Sequence, residues 1–167
     1  MRSFQHSFIM FALATGLAQQ TLGGDRPSCP VTRPPDPPFK PPAPYSSSAG
    51  NHEFLYGGPA LWTVVYPDWH IHSGGKLPFF RQGWDWKKGG RPRLTVVARR
   101  LDGEGPMVWS GLAGSGFIEG KGLEEMFMVT GIDIPSSGCW EIGAQYVDDR
   151  GDVHTLAHLS YTVWVEP

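Results

Sequence analysis

The chain has 167 residues, of which 40% are hydrophobic and 13% aromatic, a composition typical of a globular domain and not of a disordered chain. Its formal net charge is -2, and its lysines and arginines are scattered apart from a short cluster between Lys87 and Arg93. No basic face is therefore expected, and the composition argues against a nucleic-acid-binding protein.

The N-terminus has the pattern of an export signal. Arg2 supplies positive charge, residues 8–17 form an apolar run, and Gly16 and Ala18 provide the small residues that precede a cleavage point. The apolar run spans about ten residues, whereas a helix that crosses a bilayer needs roughly 20. The pattern predicts a signal peptide at residues 1–18 and a mature chain in the periplasm, the cell envelope or the extracellular space.

A proline-rich segment follows the signal. Residues 26–44 hold nine of the chain's 16 prolines, which excludes a helix or a central strand and predicts an extended polyproline II conformation. PxxP spacings such as Pro34 to Pro37 are those of ligands for proline-binding domains. The favoured alternative is a stiff spacer or a strap laid along the domain. Together with the flexible joint at 46–50, this arm covers residues 19–50.

The remaining residues, 51–167, show short β-like runs separated by Gly, Pro and Asp, without sustained helical periodicity. The spacing predicts about seven strands in an all-β, antiparallel, immunoglobulin-like β-sandwich. The predicted strands are Phe54–Tyr56, Ala60–Tyr66, Arg93–Leu101, Met126–Ile132, Cys139–Val147 and Val153–Val165, with weaker candidates at Leu77–Phe80 and Met107–Trp109.

Alternation defines the inner faces of the last two strands. The turn-rich link at 148–152 predicts that these strands form a hairpin. Apolar side chains at every second position should point into the core. The predicted inward residues are Trp140, Ile142, Ala144 and Tyr146 on one strand, and Leu159, Tyr161, Val163 and Val165 on the other.

Cys29 and Cys139 are the only cysteines. In an exported chain they can form a disulfide, although a lipidated Cys29 or two free thiols are alternatives. Alternation places Cys139 opposite Trp140, away from the main core, where it could reach an arm that crosses the sheet. A disulfide would close a loop of roughly 110 residues and attach the arm to the domain.

Several sequence blocks carry a resemblance: CPVTRPPDPPF, FRQGWDW, RRLDG, GCWEI and the terminal VWV. With these blocks in this order, the chain resembles a group of exported bacterial proteins that have no assigned activity. The resemblance implies a secreted or envelope-attached protein whose first cysteine serves in a disulfide or a lipid anchor. The final hairpin is more loosely similar to immunoglobulin-like periplasmic modules, some of which bind copper.

The segment DWHIHSGG is the candidate metal site. His70 and His72 stand two residues apart and would share one face of an extended segment together with Asp68. A further ligand would have to come from elsewhere, for example from His158 or Met107. The alternative is a pair of surface histidines in a loop.

The aromatic segment FFRQGWDWKKGG is the candidate binding surface. Trp84 and Trp86 would lie on one side of an extended stretch with Arg81 close by, and Trp69 would contribute to the same surface. Flat rings beside charged groups can stack on sugars or bind a peptide. The alternative, which the high tryptophan content favours, is that these rings pack in the core.

Catalytic motifs are not found: the sequence has no G-x-S-x-G elbow, no H-E-x-x-H, and the glycines of GSGFIEG have the wrong spacing for a phosphate loop. The favoured function is an exported non-catalytic binding or structural module, without a cofactor, whose partner is an envelope protein or a glycan. Two alternatives are a periplasmic copper- or zinc-binding protein that uses His70 and His72, and a cell-wall hydrolase.

Overall fold

The computed structural model describes residues 28–45, 53–66, 75–85, 87, 90–120, 123–147 and 157–166. These residues form nine β-strands. The strands are β1 (Phe54–Gly58), β2 (Leu61–Val65), β3 (Gly75–Phe80), β4 (Leu94–Arg100), β5 (Val108–Trp109), β6 (Gly114–Gly120), β7 (Leu123–Ile132), β8 (Gly138–Tyr146) and β9 (Ala157–Val165).

The strands form two antiparallel sheets in a β-sandwich-like arrangement, so the all-β prediction is confirmed. The five-stranded sheet has the order β1-β2-β3-β7-β6, and the four-stranded sheet has the order β5-β4-β8-β9. The predicted final hairpin is present, with β8 and β9 paired from Gly138 opposite Val165 to Tyr146 opposite Ala157. No helix within the described ranges is long and apolar enough to cross a membrane.

The main core lies between the two sheets, where the alternation predicted it. The eight inward residues assigned to β8 and β9 all belong to this core, and none of them is more than 7% exposed. They pack against the inner residues of β2, β3 and β7, such as Val65, Phe79 and Met128, each of which is fully buried. Removal of this apolar surface from water is what holds the sheets together.

The strand count differs from the prediction at one edge of the five-stranded sheet. Gly114–Gly120 pairs with β7 from Gly114 opposite Val129 to Gly120 opposite Leu123. Three glycines give this strand a weak β signal, which is why the sequence did not predict it. β7 begins at Leu123, three residues before the predicted start at Met126, so Glu124 and Glu125 belong to this strand.

The proline-rich arm lies on the domain and is attached to it at two points. Cys29 forms the predicted disulfide with Cys139, and Cys139 is only 1% exposed. Beyond the disulfide, Thr32 donates its N–H to the carbonyl of Thr162, and Thr162 donates its N–H to the Thr32 hydroxyl, at 2.9 and 2.8 Å. Since β9 is an edge strand, these bonds occupy backbone groups that would otherwise be open to pairing with another chain.

The end of the arm covers the outer face of the five-stranded sheet. There Trp62, Leu55 and Phe80 form a second hydrophobic cluster, separate from the main core, against which Phe39 and Tyr45 of the arm pack. The Tyr45 ring meets the Trp62 ring edge-on at 4.9 Å, and the Tyr45 hydroxyl donates to the Arg81 carbonyl at 2.8 Å. The arm therefore runs from the outer face of one sheet, past the β9 edge, to the outer face of the other.

A charged clamp fixes the loop after β4 to the start of β8. The Arg100 guanidinium donates to the Asp102 carboxylate at 2.7 Å, and the Cys139 N–H donates to the same carboxylate. Gly138 has φ +142°, and a Cβ at this position would lie 2.9 Å from both carboxylate oxygens of Asp102. Glycine is therefore required at 138 both by the backbone conformation and by the close approach of Asp102.

We expect Asp102→Asn to destabilise the fold by about 1–2 kcal/mol at neutral pH, because two hydrogen bonds to a carboxylate are weakened. Burial acts to raise the pKa of Asp102, but the hydrogen bonds from Arg100 and the Cys139 N–H outweigh it and hold this pKa below its ordinary value. The stabilisation is thus complete above the ordinary pKa of an aspartate and is lost as the pH falls through the folded value. Urea unfolding of both proteins at pH 7 and pH 3 checks this, since an equal difference at the two pH values would contradict it.

Candidate functional site

The two described members of the predicted aromatic surface have structural roles. Trp84 is only 6% exposed and its ring meets the ring of Tyr146 edge-on at 6.1 Å, at the end of the main core. The Arg81 guanidinium lies 4.4 Å from the centre of the same Tyr146 ring, a cation–π contact. Trp84 therefore packs at the end of the core, as the second interpretation of the segment expected, and its ring is not exposed as a binding surface.

The other predicted site residues lie outside the described residues. These are Trp69 and Trp86 of the aromatic surface and Asp68, His70 and His72 of the metal site. Within the described ranges there is no cluster of three or more His, Cys, Asp or Glu side chains placed to hold a metal ion.

An open surface lies on the outer face of the four-stranded sheet, on side chains that alternate with the core residues. Strand register arranges these side chains in three rows that run across the sheet. The rows are Thr95, Gln145 and His158; Trp109, Val97, Gly143 and Ser160; and Arg99, Glu141 and Thr162. The arm contacts the sheet at Cys139 and Thr162, so it covers one end of this face and leaves the other end open.

The open end contains a shallow pit of about 280 Å³. Trp109 and Met107 both line it and are 63% and 51% exposed, so two large apolar side chains adjoin each other at the surface. Val97 and Gly143 form the floor, where a Cβ at position 143 would lie 3.3 Å from a methyl carbon of Val97. Glycine at 143 therefore keeps this part of the pit free of a second side chain beside Val97.

Polar side chains surround the pit. Thr95, Gln145 and His158 line it and are exposed to solvent. Their hydroxyl, amide and imidazole groups can each donate and accept hydrogen bonds. An aromatic side chain together with a few polar side chains is the composition of a small-ligand binding site.

The charged groups next to the pit neutralise one another. Arg99 donates to Glu141 Oε2 at 2.6 Å, and the Ser160 hydroxyl donates to Glu141 Oε1 at 2.8 Å. Hydrogen bonds from Ser160 and Arg99 hold the pKa of Glu141 below its ordinary value, so this carboxylate is ionised and both of its oxygens are occupied. The network fixes the row beside the pit and presents little net charge to a ligand.

Fold and site together define a class of protein: a β-sandwich-like domain with a disulfide-anchored proline-rich arm and an open aromatic pit on one sheet. No protein-family model, curated protein or solved structure matches this chain. The function must therefore be argued from the chemistry of its own residues.

Proposed function

We propose that the protein is an exported, non-catalytic binding module of the cell envelope that binds glycans at the outer face of its four-stranded sheet. The observation that carries this proposal is Trp109, whose largely exposed ring lines the pit. The apolar C–H face of a sugar ring can stack on an indole. The hydroxyl groups at the sugar's edge match the hydrogen-bonding groups of Thr95, Gln145 and His158.

The chemistry of the nearest carboxylate supports binding without catalysis. Glu141 is ionised and held by Arg99 and Ser160, so it does not have the raised pKa that a general acid in glycoside hydrolysis requires. Among the described residues, no Asp or Glu lines the pit, whose polar lining side chains are Thr95, Gln145 and His158. They suit recognition of a ligand better than cleavage of a glycosidic bond.

We also propose that the sandwich is of the immunoglobulin-like type and that the protein is exported. An immunoglobulin-like type is supported by strand order, because β2-β3-β7-β6 follows the A-B-E-D order of such sandwiches and β4-β8-β9 follows C-F-G. Export is supported by the Cys29–Cys139 disulfide, which persists in oxidising compartments, and by the signal-like residues 1–18. The likeness to exported bacterial proteins points the same way.

We expect Trp109→Ala to weaken glycan binding at least about tenfold, because an exposed aromatic anchor supplies much of the energy at such sites. The mature, disulfide-bonded chain is run in native gels cast with a panel of bacterial envelope polysaccharides, and retardation gives the dissociation constant. Trp109 is exposed, so its loss should leave the free energy of unfolding within about 0.5 kcal/mol of the wild-type value.

Phe117→Ala is the matched control. Phe117 is also a large exposed aromatic residue, 54% exposed, but it lies on β6 of the other sheet. Its variant should be retarded as strongly as the wild type. The proposal fails if no polysaccharide retards the wild-type protein, or if the Trp109 variant binds as tightly as the Phe117 variant.

A further inference from the structure

A basic recess adjoins the pit along β4. It has a volume of about 780 Å³ and lies between the N-terminal end of β4 and the segment that follows β5. Arg91 and Arg93, both exposed, lie along one side, and Leu112, which is 80% exposed, lies along the other. Within the described ranges, neither guanidinium is paired with a carboxylate.

The recess and the pit form one continuous surface, because Thr95 lines both of them. Arg93 directly precedes β4 and is exposed, and it continues the alternation of Thr95 and Val97 on the outer face of that strand. The path from Val97 to Arg93 therefore follows one extended segment, in which the Arg93 carbonyl accepts the Val147 N–H at 3.1 Å. At a rise of about 3.3 Å per residue, the four residues from Val97 to Arg93 span about 13 Å. This distance is longer than one sugar ring, and an oligosaccharide can occupy both parts of the surface.

The charge of the recess is local. The chain as a whole carries a formal net charge of -2, so it does not attract polyanions through its overall charge. Two neighbouring guanidinium groups in an open recess are suited to a carboxylate, which they can bind through paired hydrogen bonds. The nearest other cation on this face, Arg99, is already occupied by Glu141.

We propose that the ligand is an acidic polysaccharide, with one sugar ring stacked on Trp109 and the carboxylate of a nearby uronic acid bound by Arg91 and Arg93. This inference rests on the proposed glycan-binding function and adds the ligand's charge and a second subsite. Thr95 lies between the two subsites and faces the connecting sugar unit.

The test compares polymers that differ in one property at a time. Binding of the full disulfide-bonded chain is measured at low ionic strength with polygalacturonate, alginate and hyaluronate, with methyl-esterified polygalacturonate as the uncharged counterpart, and with poly-glutamate as a polyanion without sugar. We expect at least one acidic polysaccharide to bind about tenfold or more tightly than the ester, since the ester lacks the charged carboxylate to which the guanidinium groups donate. Poly-glutamate should bind no better than the ester.

Variants locate the charge effect. Arg93→Gln and Arg91→Gln should each weaken binding of the acid by about tenfold and leave binding of the ester unchanged. Lys76→Gln, which removes an exposed cation from β3 of the other sheet, is the control and should have no effect.

Three results would overturn the inference. These are equal binding of acid and ester, equal binding of poly-glutamate, and no binding of any acidic polysaccharide. Equal binding of acid and ester that is still lost in Trp109→Ala would overturn only the acidic ligand and would leave the proposed glycan-binding function standing.

Discussion

Replacement of both cysteines by serine should lower the free energy of unfolding by about 5 kcal/mol, because the Cys29–Cys139 disulfide closes a loop with a sequence separation of 110. In the chain-entropy model the cross-link restricts the unfolded chain, and the restriction grows with the length of the closed loop. The disulfide also holds the arm in place, so the double variant should lose protection of the second hydrophobic cluster. Chemical denaturation and hydrogen exchange of the amides of β2 measure the two effects.

A control separates the effect of the disulfide from that of the serine substitutions. Reduced wild-type protein should show the same loss of stability as the double variant, whereas a loss below about 1 kcal/mol in both would mean that packing alone holds the arm on the domain.

Export is tested by the intact mass of the natively expressed chain, measured before and after reduction and alkylation. We expect the mass of a chain that begins at Gln19 and that gains alkyl groups only after reduction. The mass of an acylated chain that begins at Cys29 would contradict this expectation.

Trp62→Ala should cost about 3–5 kcal/mol, as large as a substitution in the main core, although Trp62 lies on the outer face of its sheet. Its residue is 1% exposed, and its ring stacks on Phe80 at 5.9 Å and lies 6.0 Å from the ring of Phe39. The cost is large because the arm covers the outer face of the five-stranded sheet at this point and buries Trp62. Thermal or urea unfolding measures it.

A double-mutant cycle assigns this cost to the arm. Tyr45 meets Trp62 edge-on, so Tyr45→Ala combined with Trp62→Ala should show a coupling energy of about 0.5–3 kcal/mol. Phe117→Ala, the exposed aromatic on β6, should change stability by less than about 0.5 kcal/mol. Strict additivity of the Tyr45 and Trp62 substitutions would show that the arm does not cover this cluster in solution.

Sequence reasoning predicts the inner faces well because alternation is a local property. The inward set from Trp140 to Tyr146 is buried, and Cys139, on the opposite face, reaches the arm and forms the disulfide. The same alternation implies that Gly143, Gln145 and His158 face outward, and these three residues line the pit. The alternation that predicts the core residues therefore also predicts the outward position of these three residues of the candidate site.

The position of Trp109 in the candidate site depends on the register between distant strands, which no local pattern specifies. Trp109 belongs to a two-residue strand, and only its pairing with Val97 places it in the same row as Gly143, with Val97 between them. Composition pointed instead to the segment around Trp84, where tryptophans are dense, but Trp84 is buried against Tyr146. Tryptophan content predicts aromatic contacts, whereas the exposure that makes a ring available to a ligand is a property of the folded sheet.

The position of the disulfide in the chain divides the loops into two groups with respect to proteolysis. A cut at any peptide bond between Cys29 and Cys139 leaves the two fragments covalently joined, so β1 to β7 stay attached to the molecule. A cut in residues 148–156, after the second cysteine, separates β9 from the covalent loop. β9 carries His158 and pairs with Thr32 of the arm, so this single link determines whether a nicked molecule keeps both its ligand pit and its edge cover.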